Sequence, residues 1–145
     1  MTDHLKMAIA VVAGILLLPI VSSAAGGICP NSIAVEEHLA KPVNTWEAVL
    51  EEFPHQLSSV GFYDGHPRKK AELTPDKDKK NKKKQTASWH FVPNKPRGNW
   101  IACGYDHTNV TLARSLDAKV SVCTVTYDPN LTVGGHPTIT AIECK

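Results

Sequence analysis

The sequence predicts a mainly β fold: one small antiparallel sandwich, or a partly open barrel, of about six or seven strands with at most one short helix. Three observations predict it. The second half of the chain falls into period-two runs rich in β-branched and aromatic side chains. Turn-forming clusters at 106–109, 117–119 and 128–137 separate those runs. Cys29, Cys103, Cys123 and Cys144 make an even set with no C-x-x-C spacing, which reads as two disulfides rather than a zinc site.

The N-terminus sets the compartment. Lys6 precedes an apolar run from Met7 to Val21, and Ser22, Ser23, Ala24 and Ala25 follow. That is the layout of a secretory leader, with cleavage expected after Ala25. The run is shorter than the ~20 apolar residues a spanning helix needs, and Pro19 interrupts it. Lipid attachment at Cys29 is disfavoured by the bulky Ile28 before it. The expected mature chain, residues 26–145, is the size of one domain and can bury roughly two-thirds of the surface its unfolded chain exposes. Export follows, with membrane contact at most peripheral after cleavage.

Along that domain, "CPNSIAVEEHL" can supply a first strand. "TWEAVLEEF" fits two turns of amphipathic helix, capped by Asn44 or Thr45 and stopped before Pro54. "QLSSVGFYDG" reads as a strand running into a turn. "WHFVP" puts Trp89 and Phe91 on one face. "NWIACGYDHT" groups Ile101, Cys103 and Tyr105, and "VSVCTVTYD" groups Cys123, Val125 and Tyr127. "PTITAIECK" alternates again. Residues 110–116 admit either state: Leu112 and Leu116 have helical spacing, while their place between two strands favours a third strand. A strand there makes the C-terminal half a meander and puts Cys103 and Cys123 two strands apart, near ~10 Å. A bridge needs Cα atoms within about 7 Å. The expected pairs are therefore Cys29–Cys103 and Cys123–Cys144; a helix at 110–116 reverses that argument.

Charge is unevenly spread. From Arg68 to Lys84 nine basic residues face three acids, a local +6 in a chain of net +2. The densest part is "DKDKKNKKKQ", with Lys77, Lys79, Lys80, Lys82, Lys83 and Lys84. It contains no aliphatic or aromatic side chain, so it reads as a mobile loop at about 76–87. A nucleic-acid footprint would spread basic residues over a folded face with interleaved aromatics, so nucleic acid is not the expected partner. An anionic lipid or polymer surface, or an envelope protein, fits better, and a solvated insertion is the bland alternative.

No catalytic or metal motif occurs. The seven histidines form neither H-x-H nor H-E-x-x-H, and there is no G-x-S-x-G elbow or phosphate-cradling glycine loop. An even cysteine count leaves no free thiol. No enzyme activity, cofactor or metal is expected. Of Trp46, Trp89 and Trp100, at least two are expected in the core. Tyr63, Asp64 and His66, in "GFYDGHP", form a candidate recognition turn, with a half-buried strand-end tyrosine as its plain alternative.

Several pieces in order carry a resemblance: Cys29-Pro30 with Ile33, Gly65-x-Pro67, Leu73-x-Pro75, Trp89-x-Phe91, "WIACGY" with Trp100, Cys103 and Tyr105, and "CTVTY" with Cys123. Together they resemble a family of small exported proteobacterial proteins of uncharacterised function, over nearly the whole mature chain. The resemblance implies a periplasmic location in a bacterial host and transfers no catalytic residues. The expected function is a non-enzymatic binding module, such as an inhibitor or immunity-type partner of an envelope enzyme. Its contact loops would be 61–68 or 76–87. The alternative is an envelope-associated structural protein whose basic loop touches anionic lipid or polymer.

Overall fold

A computed structural model describes residues 27–50 and 53–145, and the expected leader at 1–25 lies outside them. Nine strands form two antiparallel sheets: β1 Ser32–Ile33, β2 His55–Asp64, β3 Glu72–Leu73, β4 Lys77–Lys80, β5 Gln85–His90, β6 Asn99–Tyr105, β7 Thr111–Ser115, β8 Val122–Val133 and β9 His136–Cys144. The first sheet runs β1-β2-β6-β7, with β3 also paired to β2; the second runs β4-β5-β8-β9. The expected mainly β sandwich is what forms. Its only helical element among the described residues is a 3-10 turn at Pro67–Lys69.

The core lies between the sheets and follows the alternation in the sequence. Leu57, Phe62, Ile101, Cys103 and Tyr105 come from the first sheet. Ala87, Trp89, Cys123 and Val125 come from the second, with Phe91 just past β5. Phe62, fully buried, meets both Trp89 (ring centroids 4.7 Å) and Phe91 (5.5 Å). Such tilted aromatic contacts add about 0.5–1.5 kcal/mol each beyond the area they bury. Gly104 stands opposite Ser59, and a Cβ there would meet the Ser59 hydroxyl, which would have to turn aside. The β8–β9 hairpin closes through Gly134 and Gly135 at φ 57° and 81°, the left-handed pair that a two-residue hairpin loop requires.

Both bridges form as expected. Cys29–Cys103 (Cα–Cα 5.9 Å) ties the N-terminal segment to β6, and Cys123–Cys144 (4.1 Å) joins facing residues of β8 and β9. The premise behind that expectation is only half right. Residues 111–115 are a strand, but β8 does not continue a meander; it crosses into the second sheet. Cys103 and Cys123 lie on different sheets, each bonded to another partner.

Three further expectations are corrected. The strand count is nine, the surplus being the two-residue β3 and the lysine strand β4. The lysine segment, expected as a mobile loop at about 76–87, contains a paired strand: Lys77–Lys80 pair with Gln85–Ser88 in a hairpin. Its turn is built by Asn81, whose side-chain oxygen accepts from the backbone N–H groups of Lys83 (2.9 Å) and Lys84 (2.8 Å). Asn130 Nδ2 donates to the Lys82 carbonyl (3.1 Å), pinning the turn to β8. Backbone pairing to the open edge of β5 orders this segment without any apolar burial. A lysine-rich edge also repels further strands, a usual protection of sheet edges. The helix expected over 45–53 is absent among described residues 45–50, because Trp46, Val49 and Leu50 on its apolar stripe stay exposed and a helix that short is marginal alone.

Candidate functional site

The candidate recognition turn sits at one end of the first sheet. Two tight turns lean together there. Gly65 (φ 83°) donates its N–H to the Gly98 carbonyl (2.9 Å), and its Cα faces the Arg97 side chain. Lys95 Nζ lies 2.7 Å from Asp64 Oδ2 and clamps the two turns. That hydrogen bond holds the Asp64 carboxyl below its ordinary value. Partial burial opposes the shift, and the charges of Lys95 and Arg97 add to it. The other carboxylate oxygen, Oδ1, is sealed from solvent with no hydrogen-bond partner among the described residues.

His66 opens the 3-10 turn. Its Nδ1 accepts from the Arg68 N–H (3.2 Å), and its ring rests against Trp100 with centroids 4.5 Å apart. Trp100 is the cross-strand partner of Tyr63, which in turn faces Glu72 on β3. The Tyr63 ring lies over Gly61: a Cβ at Gly61 would come within 3.0 Å of it. Burial first, then the charge and hydrogen bond of Glu72, push the Tyr63 hydroxyl above its ordinary pKa, so it stays a protonated donor at neutral pH. The result is one patch in which the half-buried rings of Tyr63 and Trp100 and the exposed ring of His66 sit beside Lys95, Arg97 and Glu72. Tyrosine, tryptophan and arginine in a fixed setting are the side chains that dominate protein–protein hot spots.

The structure brings Tyr63, Asp64 and His66 together as the sequence suggested, and adds Trp100, Glu72, Lys95 and Arg97. Sequence reading missed those four because strand register, not chain proximity, makes them neighbours. Of the tryptophans, Trp89 is core, Trp100 half-buried and Trp46 exposed, so only one is wholly interior rather than two.

The six lysines lie elsewhere, on the edge hairpin of the second sheet. Lys77, Lys79 and Lys80 are on β4, and Lys82, Lys83 and Lys84 are in its turn. All six are exposed. No ion pair or hydrogen bond joins them to the Tyr63 patch among the described residues. Among those residues there is also no group of three side chains placed to hold a metal, and no helix long and apolar enough to cross a membrane.

A disulfide-stapled β-sandwich carrying an aromatic and charged patch at one end defines a class: small binding proteins that act through a surface. The chain belongs to the Type VI secretion system Tli immunity protein family, whose description matches residues 51–145. That span takes in β2 to β9, the Tyr63 patch, the lysine hairpin and three of the four cysteines. It leaves Cys29-Pro30 and the segment before β2 outside. No curated protein and no solved structure matches the chain.

Proposed function

We propose that this protein is exported, loses residues 1–25, and in the periplasm binds and blocks the toxin part of a type VI effector without chemistry of its own. The observation that carries this is membership of the immunity family across 51–145, the whole sandwich from β2 onward. The leader-like N-terminus and the two disulfides support the compartment, since such bridges persist where the surroundings are oxidising. The contact face is the Tyr63–His66–Trp100 patch, held by the Asp64–Lys95 clamp and therefore already organised before binding.

The test is inhibition of the purified effector toxin by the oxidised mature chain. Stoichiometric inhibition is expected. A Tyr63→Ala/Trp100→Ala variant should bind about 100-fold more weakly, in line with loss of two hot-spot side chains. Full inhibition by that variant would remove the patch from the interface; no inhibition by the unaltered chain would remove the immunity mechanism.

A second reading rests on the lysine hairpin. Strand pairing and the Asn81 turn fix six exposed lysines in one place. Each adds about 1 kcal/mol near an anionic membrane surface. On this reading the hairpin holds the protein at lipid or polymer while the patch stays free. Co-sedimentation with anionic vesicles, lost at high salt and lost on replacing 76–85, is the expected result; vesicle binding unaffected by that replacement counts against it.

A further inference from the structure

We infer that residues 34–50, ahead of the family-matched span, together with Phe53 just inside it, form a second contact surface for the protein partner, and that the partner's docking element carries a cation beside a bulky apolar side chain. The inference rests on the immunity reading only for the existence of a protein partner.

Ten large hydrophobic side chains are exposed among the described residues, and six of them fall in this one stretch between β1 and β2: Leu39, Val43, Trp46, Val49, Leu50 and Phe53. Trp46 is 78% exposed and Val49 86%. Single exposed apolar residues are ordinary, but a contiguous apolar surface on a small protein marks an interaction site. Here the surface is also shaped. Val49, Leu50 and Phe53 line a cleft of about 630 Å³ with Val35, and Glu36 and Glu37 line it too. One wall is fixed: the Phe53 ring rests on His55 (5.4 Å) and edge-on to His107 (5.9 Å). His55 is itself buried and hydrogen-bonded through Nδ1 to the Asp106 carbonyl at 2.7 Å.

The charge selects the occupant. Positions 34–53 contain five glutamates and one lysine. Neither Glu36 nor Glu37 has an ion-pair partner among the described residues. An apolar cleft bordered by unpaired carboxylates fits a partner element that inserts an aliphatic or aromatic side chain and lays a lysine or arginine across the rim. An anionic lipid surface would be repelled by the same glutamates. A second copy of this chain is a poor fit as well. Its strongest basic element, Asp76 to Gln85, has no apolar side chain to fill the cleft.

The experiment measures binding of the purified effector toxin domain to the oxidised mature chain and to two variants, Trp46→Ser/Leu50→Ser and Glu36→Lys/Glu37→Lys. All four side chains are exposed, so both variants should melt with the parent. The apolar pair is expected to cost about 100-fold in affinity. The charge reversal is expected to cost roughly tenfold, more at low salt than at high. Parental affinity in both variants, while Tyr63→Ala/Trp100→Ala still weakens binding, overturns the inference and leaves the immunity reading standing. A parental dimer in sedimentation that Trp46→Ser/Leu50→Ser dissolves assigns the surface to a second copy and also overturns it. No binding by the unaltered chain removes the immunity reading first, and this inference with it.

Discussion

Removing the two disulfides one at a time should destabilise the protein unequally, with Cys29–Cys103 the costlier. The bridges close chain segments of very different length, with sequence separations of 74 and 21. In the chain-entropy account, opening the longer loop costs about 4.5 kcal/mol at 25 °C and the shorter about 3.3. The difference, about 1.1 kcal/mol, depends only on the ratio of loop lengths. For the full term to appear, the folded state must stay closed without the bond, and the contacts around each bridge provide for that. Near Cys29, Leu57 donates its N–H to the Asn31 carbonyl (2.8 Å), and the Tyr105 hydroxyl donates to the Pro30 carbonyl (3.1 Å). Near Cys123, the β8–β9 ladder continues to Val133 and His136. Alanine is the right replacement, because Cys29, Cys103 and Cys123 are buried and a serine hydroxyl would lack a partner. Equilibrium urea unfolding of Cys29→Ala/Cys103→Ala and Cys123→Ala/Cys144→Ala measures both costs, and each variant should show a larger m as its unfolded chain expands. A domain of this kind has about 5–15 kcal/mol in total, so the first variant sits near the edge of folding. An equal or larger loss from opening Cys123–Cys144 would refute the reasoning. A loss below about 2 kcal/mol for Cys29–Cys103 would show that the N-terminal segment detaches instead of holding the loop closed.

Phe62→Ala should cost about 3–5 kcal/mol, because the ring is fully buried between Trp89 and Phe91, and Phe62→Leu well under half of that; chemical denaturation compares them. Asp64 and Asp76 both have carboxyls held below their ordinary values, Asp64 mainly by the Lys95 hydrogen bond and Asp76 mainly by the His90 backbone N–H (2.6 Å). A depressed folded-state pKa contributes stability above the unfolded value and loses it as pH falls through the folded one. Stability should therefore fall as pH drops from about 4 downward, and Asp64→Asn/Asp76→Asn should flatten that acid limb in melting curves taken against pH. Replacing the six hairpin lysines by serine should leave the melting temperature nearly unchanged but raise concentration-dependent association, read by light scattering, because the edge loses its repulsion.

The parts of the fold legible in the sequence are those whose side chains alternate between core and solvent. In β5, β6 and β8 the alternation sorts the side chains into two faces, and the face carrying Trp89, then Ile101, Cys103 and Tyr105, then Cys123 and Val125, is the one the core uses. β4 was not legible, because its order comes from backbone pairing to β5, and side-chain patterning carries no trace of that. The assignment of strands to the two sheets was hidden for a related reason. A turn between β7 and β8 looks the same whether the next strand pairs with its predecessor or crosses over. The stretch from Thr45 to Phe53 has helical spacing in Trp46, Val49, Leu50 and Phe53, yet spacing states only which face is apolar, not whether anything covers it. At the candidate site, Tyr63, Asp64 and His66 were visible as a turn, whereas Trp100 and Glu72 join them through register across β2, β6 and β3.

The pairing of the cysteines bears on how the molecule is made. Numbered from the N-terminus, the bonds are first to second and third to fourth. A chain threading N-terminus first into an oxidising compartment presents Cys29 alone, and the next thiol to emerge, Cys103, is its native mate. Cys123 then emerges with the earlier pair already consumed, and Cys144 completes the set 21 residues later. An oxidant that joins thiols in the order they appear reaches the native connectivity directly, with no reshuffling by an isomerase. A newly delivered molecule would then be ready as soon as its last strand is through.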